Sequence, residues 1–172
     1  MEGQLSMKHV VAVAVIVAAS LCSFASTLFA SADDVAVIVH KANPVTAMTI
    51  AQLRAILLGA GARWTSGHPI VAILTRPGQP ERTRALKVVC SMSETDYNMS
   101  FVRSWHKPDG SSNSVDTERP TVAGTGLDVR NSVASMPYSV GLINASQADD
   151  SVKVVAIDGS RPGEPAYKIK FE

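Results

Sequence analysis

PIVAILTRPGQPERTRALKVVC, residues 69–90, passes from a strand to a helix through one tight turn, and its reading decides the fold class. Ile70–Leu74 is a short apolar run rich in branched side chains, the signature of a strand buried on both faces. Arg76-Pro77-Gly78-Gln79-Pro80 is turn chemistry. Pro80 suits a first helical turn, where its missing N–H is not needed, and Glu81 suits the positive end of the helix. The helix is expected to run to about Cys90 with Leu86, Val89 and Cys90 inward.

The same alternation extends in both directions. Val35–His40 (VAVIVH) predicts a buried strand, and Asn43-Pro44 a turn after it. Thr49 is placed to cap a helix through about Leu58, in which Ile50, Leu53, Ile56 and Leu57 recur at helical spacing and Gly59 supplies the stop. Gly61, Gly67 and Pro69 mark a loop carrying Trp64. Downstream, Ser93-Glu94-Thr95-Asp96 opens a helix to about Trp105 in the manner of a capping box. His106–Pro120 reads as a polar loop. Thr125 caps a helix over Gly126–Ser135, with Val129 and Val133 inward and Pro137 ending it. Val140–Asn144 and Val152–Ile157 predict two further strands, Asp158-Gly159 a turn, and Tyr167–Phe171 a last edge strand. Strands alternating with helices imply a layered α/β domain with a parallel or mixed sheet.

The 172 residues suit one domain. Hydrophobic residues make up 46% and charged residues 18%, enough apolar chain for a packed core. A net charge of +1 and 5% aromatic residues argue against nucleic-acid binding, which needs a basic field and stacking platforms. The N-terminus departs from the rest. Lys8 and His9 precede an apolar run from Val10 to Ala19, a more polar stretch follows to Ser31, and Ala30-Ser31-Ala32 offers an A-x-A cleavage site. That order predicts a signal peptide over residues 1–32 and a mature periplasmic or secreted domain over 33–172. The competing reading is an uncleaved membrane anchor, since no charge falls between Val10 and Ala32. Leu21 sits where a lipoprotein signal ending in Cys22 needs a small residue. Of the two cysteines only Cys90 lies in the mature chain, so no internal disulfide is expected there, and Cys90 reads as a buried small hydrophobe.

Catalytic motifs are absent: there is no G-x-S-x-G elbow, no phosphate-binding Walker loop, no dinucleotide G-x-G-x-x-G and no H-E-x-x-H. His9, His40, His68 and His106 are not at metal-ligand spacing. The chain is therefore read as a non-enzyme, with no cofactor or metal. The feature with a physical argument for binding is the strand-to-helix turn quoted above. Ligands of open α/β sheets sit outside the carboxyl ends of strands, and a helix N-terminus attracts anions. Thr75, Arg76, Gly78, Gln79, Arg82 and Thr83 are the candidate ligand-binding residues: Arg76 gives a bidentate charge, Arg82 a second, and Thr83 a hydroxyl. The bland alternative pairs Arg76 with Glu81 on the surface and leaves Arg82 and Arg84 in solvent.

In order along the chain, "TIAQLRAILLG", "GARWTSGHPIVAI", "TRPGQPERTRALKVV", "MPYSVGLINAS" and "VKVVAIDG" resemble segments of the phosphate-type substrate-binding proteins of ABC transporters, within the type 2 periplasmic binding-protein fold. The likeness covers about Val35 to Gly159. It implies a single-lobe, type 2 periplasmic binding-protein-like α/β domain, a mixed sheet flanked by helices. It also implies binding of phosphate or another small oxyanion, handed to a transporter permease or other periplasmic partner. Arg76 matches the family's arginine and Gly78 keeps a glycine nearby. Pro77, Gln79, Pro80 and Glu81 replace the serine, aspartate and threonine of that turn. The region that builds the family's first lobe has no counterpart ahead of Val35. That departure supports an alternative, a lone lobe acting as an accessory or interaction module, with a homodimer among its partners.

Overall fold

The computed structural model describes residues 34–105 and 119–171. The expected signal sequence, Cys22 and most of the expected His106–Pro120 loop lie outside the described residues. The order is β1 (Val35–His40), β2 (Ala47–Met48), α1 (Ile50–Leu57), β3 (Val71–Leu74), α2 (Pro80–Ala85), α3 (Glu94–Trp105), β4 (Thr121–Val122), α4 (Gly126–Ser135), β5 (Ser139–Asn144), β6 (Val152–Val154) and β7 (Ala156–Ile157). The main sheet runs β4-β3-β5-β1-β6. β3 is parallel to β4 and β5, and β1 is antiparallel to β5 and β6, so the sheet is mixed.

β1 shows why the sheet is covered on both sides. Its first five residues are fully buried, Val35, Val37 and Val39 in one apolar cluster and Ala36 and Ile38 in another. Successive side chains of a strand point to opposite faces, so each face needs its own helical layer. α1 (Leu53, Ile56, Leu57), the α2 segment (Ala85, Leu86, Val89, Cys90) and α3 (Tyr97, Phe101) cover the first face. α4 covers the second through Val129 and Val133. It approaches closely: a Cβ on Gly141 of β5 would lie 2.6 Å from Val129 and 2.8 Å from Val133.

Helix ends follow the expected chemistry. Thr49 and Gln52 form a reciprocal capping box at α1, and Thr125 and Asp128 another at α4. Gly59 after α1 has φ +65°, the left-handed value a glycine stop supplies. α2 begins at Pro80, but beyond Ala85 it widens into a π-helical turn over Leu86–Cys90, closed by Ser91 at φ +56°.

Two expectations are corrected, and two short strands are added. The single strand expected over Val152–Ile157 is two strands in two sheets: β6 pairs with β1, whereas β7 pairs in parallel with β2. Tyr167–Phe171 is not a strand. It makes one bridge, Lys170 to Asp34, with Val35 N–H donating to the Ile169 carbonyl at 2.9 Å, and is held further by buried Tyr167 and Ile169, the Tyr167 hydroxyl donating to the Val35 carbonyl at 2.5 Å. β2 and β4, two residues each, were not expected at all, being too short to show a period of two.

Candidate functional site

β3 ends at Leu74 and hands the chain through Thr75-Arg76 to α2. β4 lies beside it, in parallel, and hands the chain through Ala123–Thr125 to α4. The two turns are stitched together: Ala123 N–H donates to the Leu74 carbonyl at 2.8 Å, and Arg76 N–H to the Gly124 carbonyl at 3.4 Å. α2 belongs to one face of the sheet and α4 to the other. Adjacent parallel strands that lead to opposite faces leave a crevice between their carboxyl ends, the switch point at which ligands of such sheets sit.

Donors line this crevice. The first N–H groups of a helix have no intrahelical partner. At α2 the Gln79 side chain makes no cap, which leaves the Glu81 and Arg82 amides uncapped, while Pro80 contributes none. At α4 the Asp128 amide donates to the Thr125 hydroxyl oxygen, leaving the Gly126 and Leu127 amides. Arg76 is exposed between the two helix starts. Its charge reaches Asp128, whose carboxyl is held below the ordinary range first by the Thr125 amide, then by the Thr125 hydroxyl, with Arg76 adding to both.

The six candidate residues separate in space. Thr75 is buried at 1% exposure; its carbonyl accepts from Arg82, and its hydroxyl has no partner among the described residues. Gly78 holds φ +88° at the bend, with open space where a Cβ would be. Gln79 is half-buried. The exposed Thr83 turns its hydroxyl back to the Gln79 carbonyl at 3.1 Å. Arg82 is not an open donor. It is 4% exposed, with Nε and Nη2 on the Glu94 carboxylate at 3.0 and 2.7 Å and Nη1 on the Thr75 carbonyl at 2.8 Å. It ties α2 to α3 and to the end of β3. The alternative Arg76–Glu81 ion pair is not found among the described residues, and Glu81 is 5% exposed.

The contribution of the β4–α4 turn was missed by the sequence reading. The capping pattern of Thr125 and Asp128 was legible, but its position beside Arg76 depends on β4, which has no sequence signal. The larger concavities lie elsewhere. One of about 290 Å³ is lined by Pro44, Trp64, His68 and Tyr138, where His68 stacks on Tyr138 with centroids 3.9 Å apart. Another of about 420 Å³, lined by Val45, Met48, Ile56 and Ile70, adjoins it across Trp64. Both involve segments next to the amino end of β3, opposite the crevice, whereas a third of about 470 Å³ lies against α2 and the start of α3, lined by Thr83, Lys87, Met92 and Glu94. No group of three or more metal-ligating side chains occurs among the described residues.

No protein-family model matches the chain, and no curated relative matches it. Solved structures do. A Clostridium perfringens chain described as a phosphate ABC transporter substrate-binding protein, solved with bound phosphate, matches at TM-score 0.57 and 23% identity over 76% of this chain and 47% of that one. An ABC-type phosphate transport receptor from Vibrio cholerae matches at 0.57 and 22% identity, over 76% and 48%. PstS from Borrelia burgdorferi matches at 0.55 and 13% identity, over 76% and 49%. The chain thus has the periplasmic binding-protein-like fold of these phosphate-binding proteins, as the sequence resemblance implied, and spans about half the length of each, the extent of one lobe.

Proposed function

We propose that the chain is an exported substrate-binding module that holds phosphate or another small oxyanion in the crevice between β3 and β4, and that it is a binding protein rather than an enzyme. The observation that carries this reading is the position of Arg76: an exposed guanidinium at a switch point flanked by two helix starts with uncapped amides. Such amides and the helix dipoles favour an anion, and a guanidinium adds two parallel charge-assisted hydrogen bonds. Gly78 lets the turn bend without a side chain over the anion, and Arg82 fixes the frame from behind. Residues 1–32 act as the cleaved signal and 33–172 as the periplasmic domain, which passes its ligand to a transporter permease. The solved structures of the same fold, described as phosphate receptors of ABC transporters, support this assignment.

Calorimetric titration tests it. Phosphate or sulfate gives measurable heat with the wild-type protein, and Arg76→Ala weakens the affinity at least about tenfold, the loss of roughly one charge-assisted contact. Heat from no oxyanion, or an unchanged affinity in Arg76→Ala, contradicts the reading.

A second reading has its own support. The chain spans about half of each similar solved structure, and none of the concavities of about 290, 420 and 470 Å³ is lined by Arg76. A lobe that has lost its ligand and serves as an interaction module would show a stable partner or a homodimer in light scattering and no response to oxyanions.

A further inference from the structure

Polar atoms without partners gather at the start of α4. Thr75 Oγ1, Gln147 Oε1 and Arg130 Nε are each shielded from solvent with no hydrogen-bond partner among the described residues. A buried donor or acceptor in that state destabilises the fold, and its persistence calls for a partner from outside the chain.

Topology brings these atoms to one place. β3, β4 and β5 are parallel and end at the same edge of the sheet. The Ala123 N–H on the Leu74 carbonyl carries the β3–β4 pairing past Leu74, so Thr75 keeps the alternation of the strand. Ile73 belongs to the cluster on the α4 face, whereas Ala72 and Leu74 belong to the other. Thr75, two residues beyond Ile73, therefore points its side chain toward α4. After β5 the 3-10 turn Ala145–Gln147 packs on the same helix. Arg130 holds it there, with Nη1 donating to the Gln147 carbonyl at 3.2 Å and pairing with Asp149 at 2.9 Å. The Gln147 carboxamide lies against Gly126, the first residue of α4: a Cβ on that glycine would meet Gln147 Cδ at 3.0 Å, and the side-chain oxygen closer still. Gly126 and Leu127 carry the amides that the α4 cap leaves open.

We infer that Thr75 and Gln147 are ligand contacts: the oxyanion reaches past Arg76 to the start of α4, where the Thr75 hydroxyl and the Gln147 carboxamide complete its hydrogen bonds. This rests on the crevice reading above. A hydroxyl donates or accepts, and a carboxamide presents its oxygen or its NH2 by a half-turn. The pair therefore meets both bare and protonated oxygens of a phosphate-class anion.

The test sets folding against binding. Thr75→Val and Gln147→Met keep the shape of each side chain and remove the unpartnered atom. Neither loses an internal hydrogen bond, so urea midpoints should hold or rise. Calorimetric titration with inorganic phosphate should show the affinity falling about fivefold in each variant, the size of one hydrogen bond, while Thr75→Ser keeps it. A lower urea midpoint in Thr75→Val or Gln147→Met means that the atom has a partner inside the fold, and overturns the inference. So does an unchanged phosphate affinity in either; if Arg76→Ala still weakens phosphate, the crevice reading stands. No phosphate binding by the wild-type protein overturns both.

Discussion

Arg82 and Glu94 face each other through two parallel hydrogen bonds, Nη2 to Oε1 at 2.7 Å and Nε to Oε2 at 3.0 Å, and so lock the first turn of α2 to the start of α3. The third donor of the same guanidinium holds the Thr75 carbonyl, and its Cζ lies 5.7 Å from the centre of the Tyr97 ring. With Arg82 at 4% exposure, deleting the carboxylate strands a buried charge. Glu94→Ala should cost about 2–3 kcal/mol in urea unfolding, toward the low end for a buried pair because Glu94 is 26% exposed. Glu94→Gln, which keeps an acceptor, should cost less. A loss below about 0.5 kcal/mol, the size typical of exposed pairs, would show that the pair is no anchor.

Gly141 gives a second test, of the close seating of α4 on the sheet. Its missing Cβ makes room for Val129 and Val133, side chains that a methyl group would meet at 2.6 and 2.8 Å. Gly141→Ala should destabilise the protein by about 1–3 kcal/mol, the usual cost of overpacking, despite alanine's better strand propensity. Adding Val133→Ala should recover part of that loss. Neutral behaviour of Gly141→Ala would mean that α4 stands further from β5.

Cys90 predicts how stability depends on alkaline pH. Burial at 1% exposure pushes the thiol up to about 11, with Arg54 opposing. A group whose folded-state pKa is raised contributes stability that is complete below its unfolded value, about 8.5 for a thiol, and is lost as pH rises toward the folded value. Burial raises the Tyr97 and Tyr167 phenols as well, so the decline continues at higher pH. Urea midpoints should therefore fall from about pH 8.5 upward, and Cys90→Ala should flatten the first part of that fall. Rapid alkylation of the native thiol at pH 8, or a flat profile, would contradict this burial.

Much of the fold was legible because its long elements carry redundant signals. β1 reads as a buried strand from composition alone, and α1 and α4 announce both period and caps through Thr49 and Thr125. The parts that stayed hidden are those set by partners. Val152–Ile157 is one apolar run, yet its halves answer to β1 and β2, and no pattern within the run marks the division at Val155. Tyr167 and Ile169 are buried as in a strand, but the segment is held by the Val35 N–H on the Ile169 carbonyl and the Tyr167 hydroxyl on the Val35 carbonyl rather than by an extended ladder. For the site, Arg76 and the turn could be found from Pro77, Gly78 and Pro80. The fate of Arg82 could not, because its partner Glu94 lies twelve residues away on another helix and carries no mark of its role.

The most direct test of the central claim is residue-resolved. Titrating the isotopically labelled protein with phosphate and following backbone amides by NMR asks where an oxyanion sits. Shifts concentrated at Arg76, Gly78, Glu81, Arg82, Gly126 and Leu127, on both sides of the β3–β4 crevice, are the predicted result. Shifts confined to the Trp64, His68 and Tyr138 end of the sheet, or none at millimolar phosphate, would contradict it.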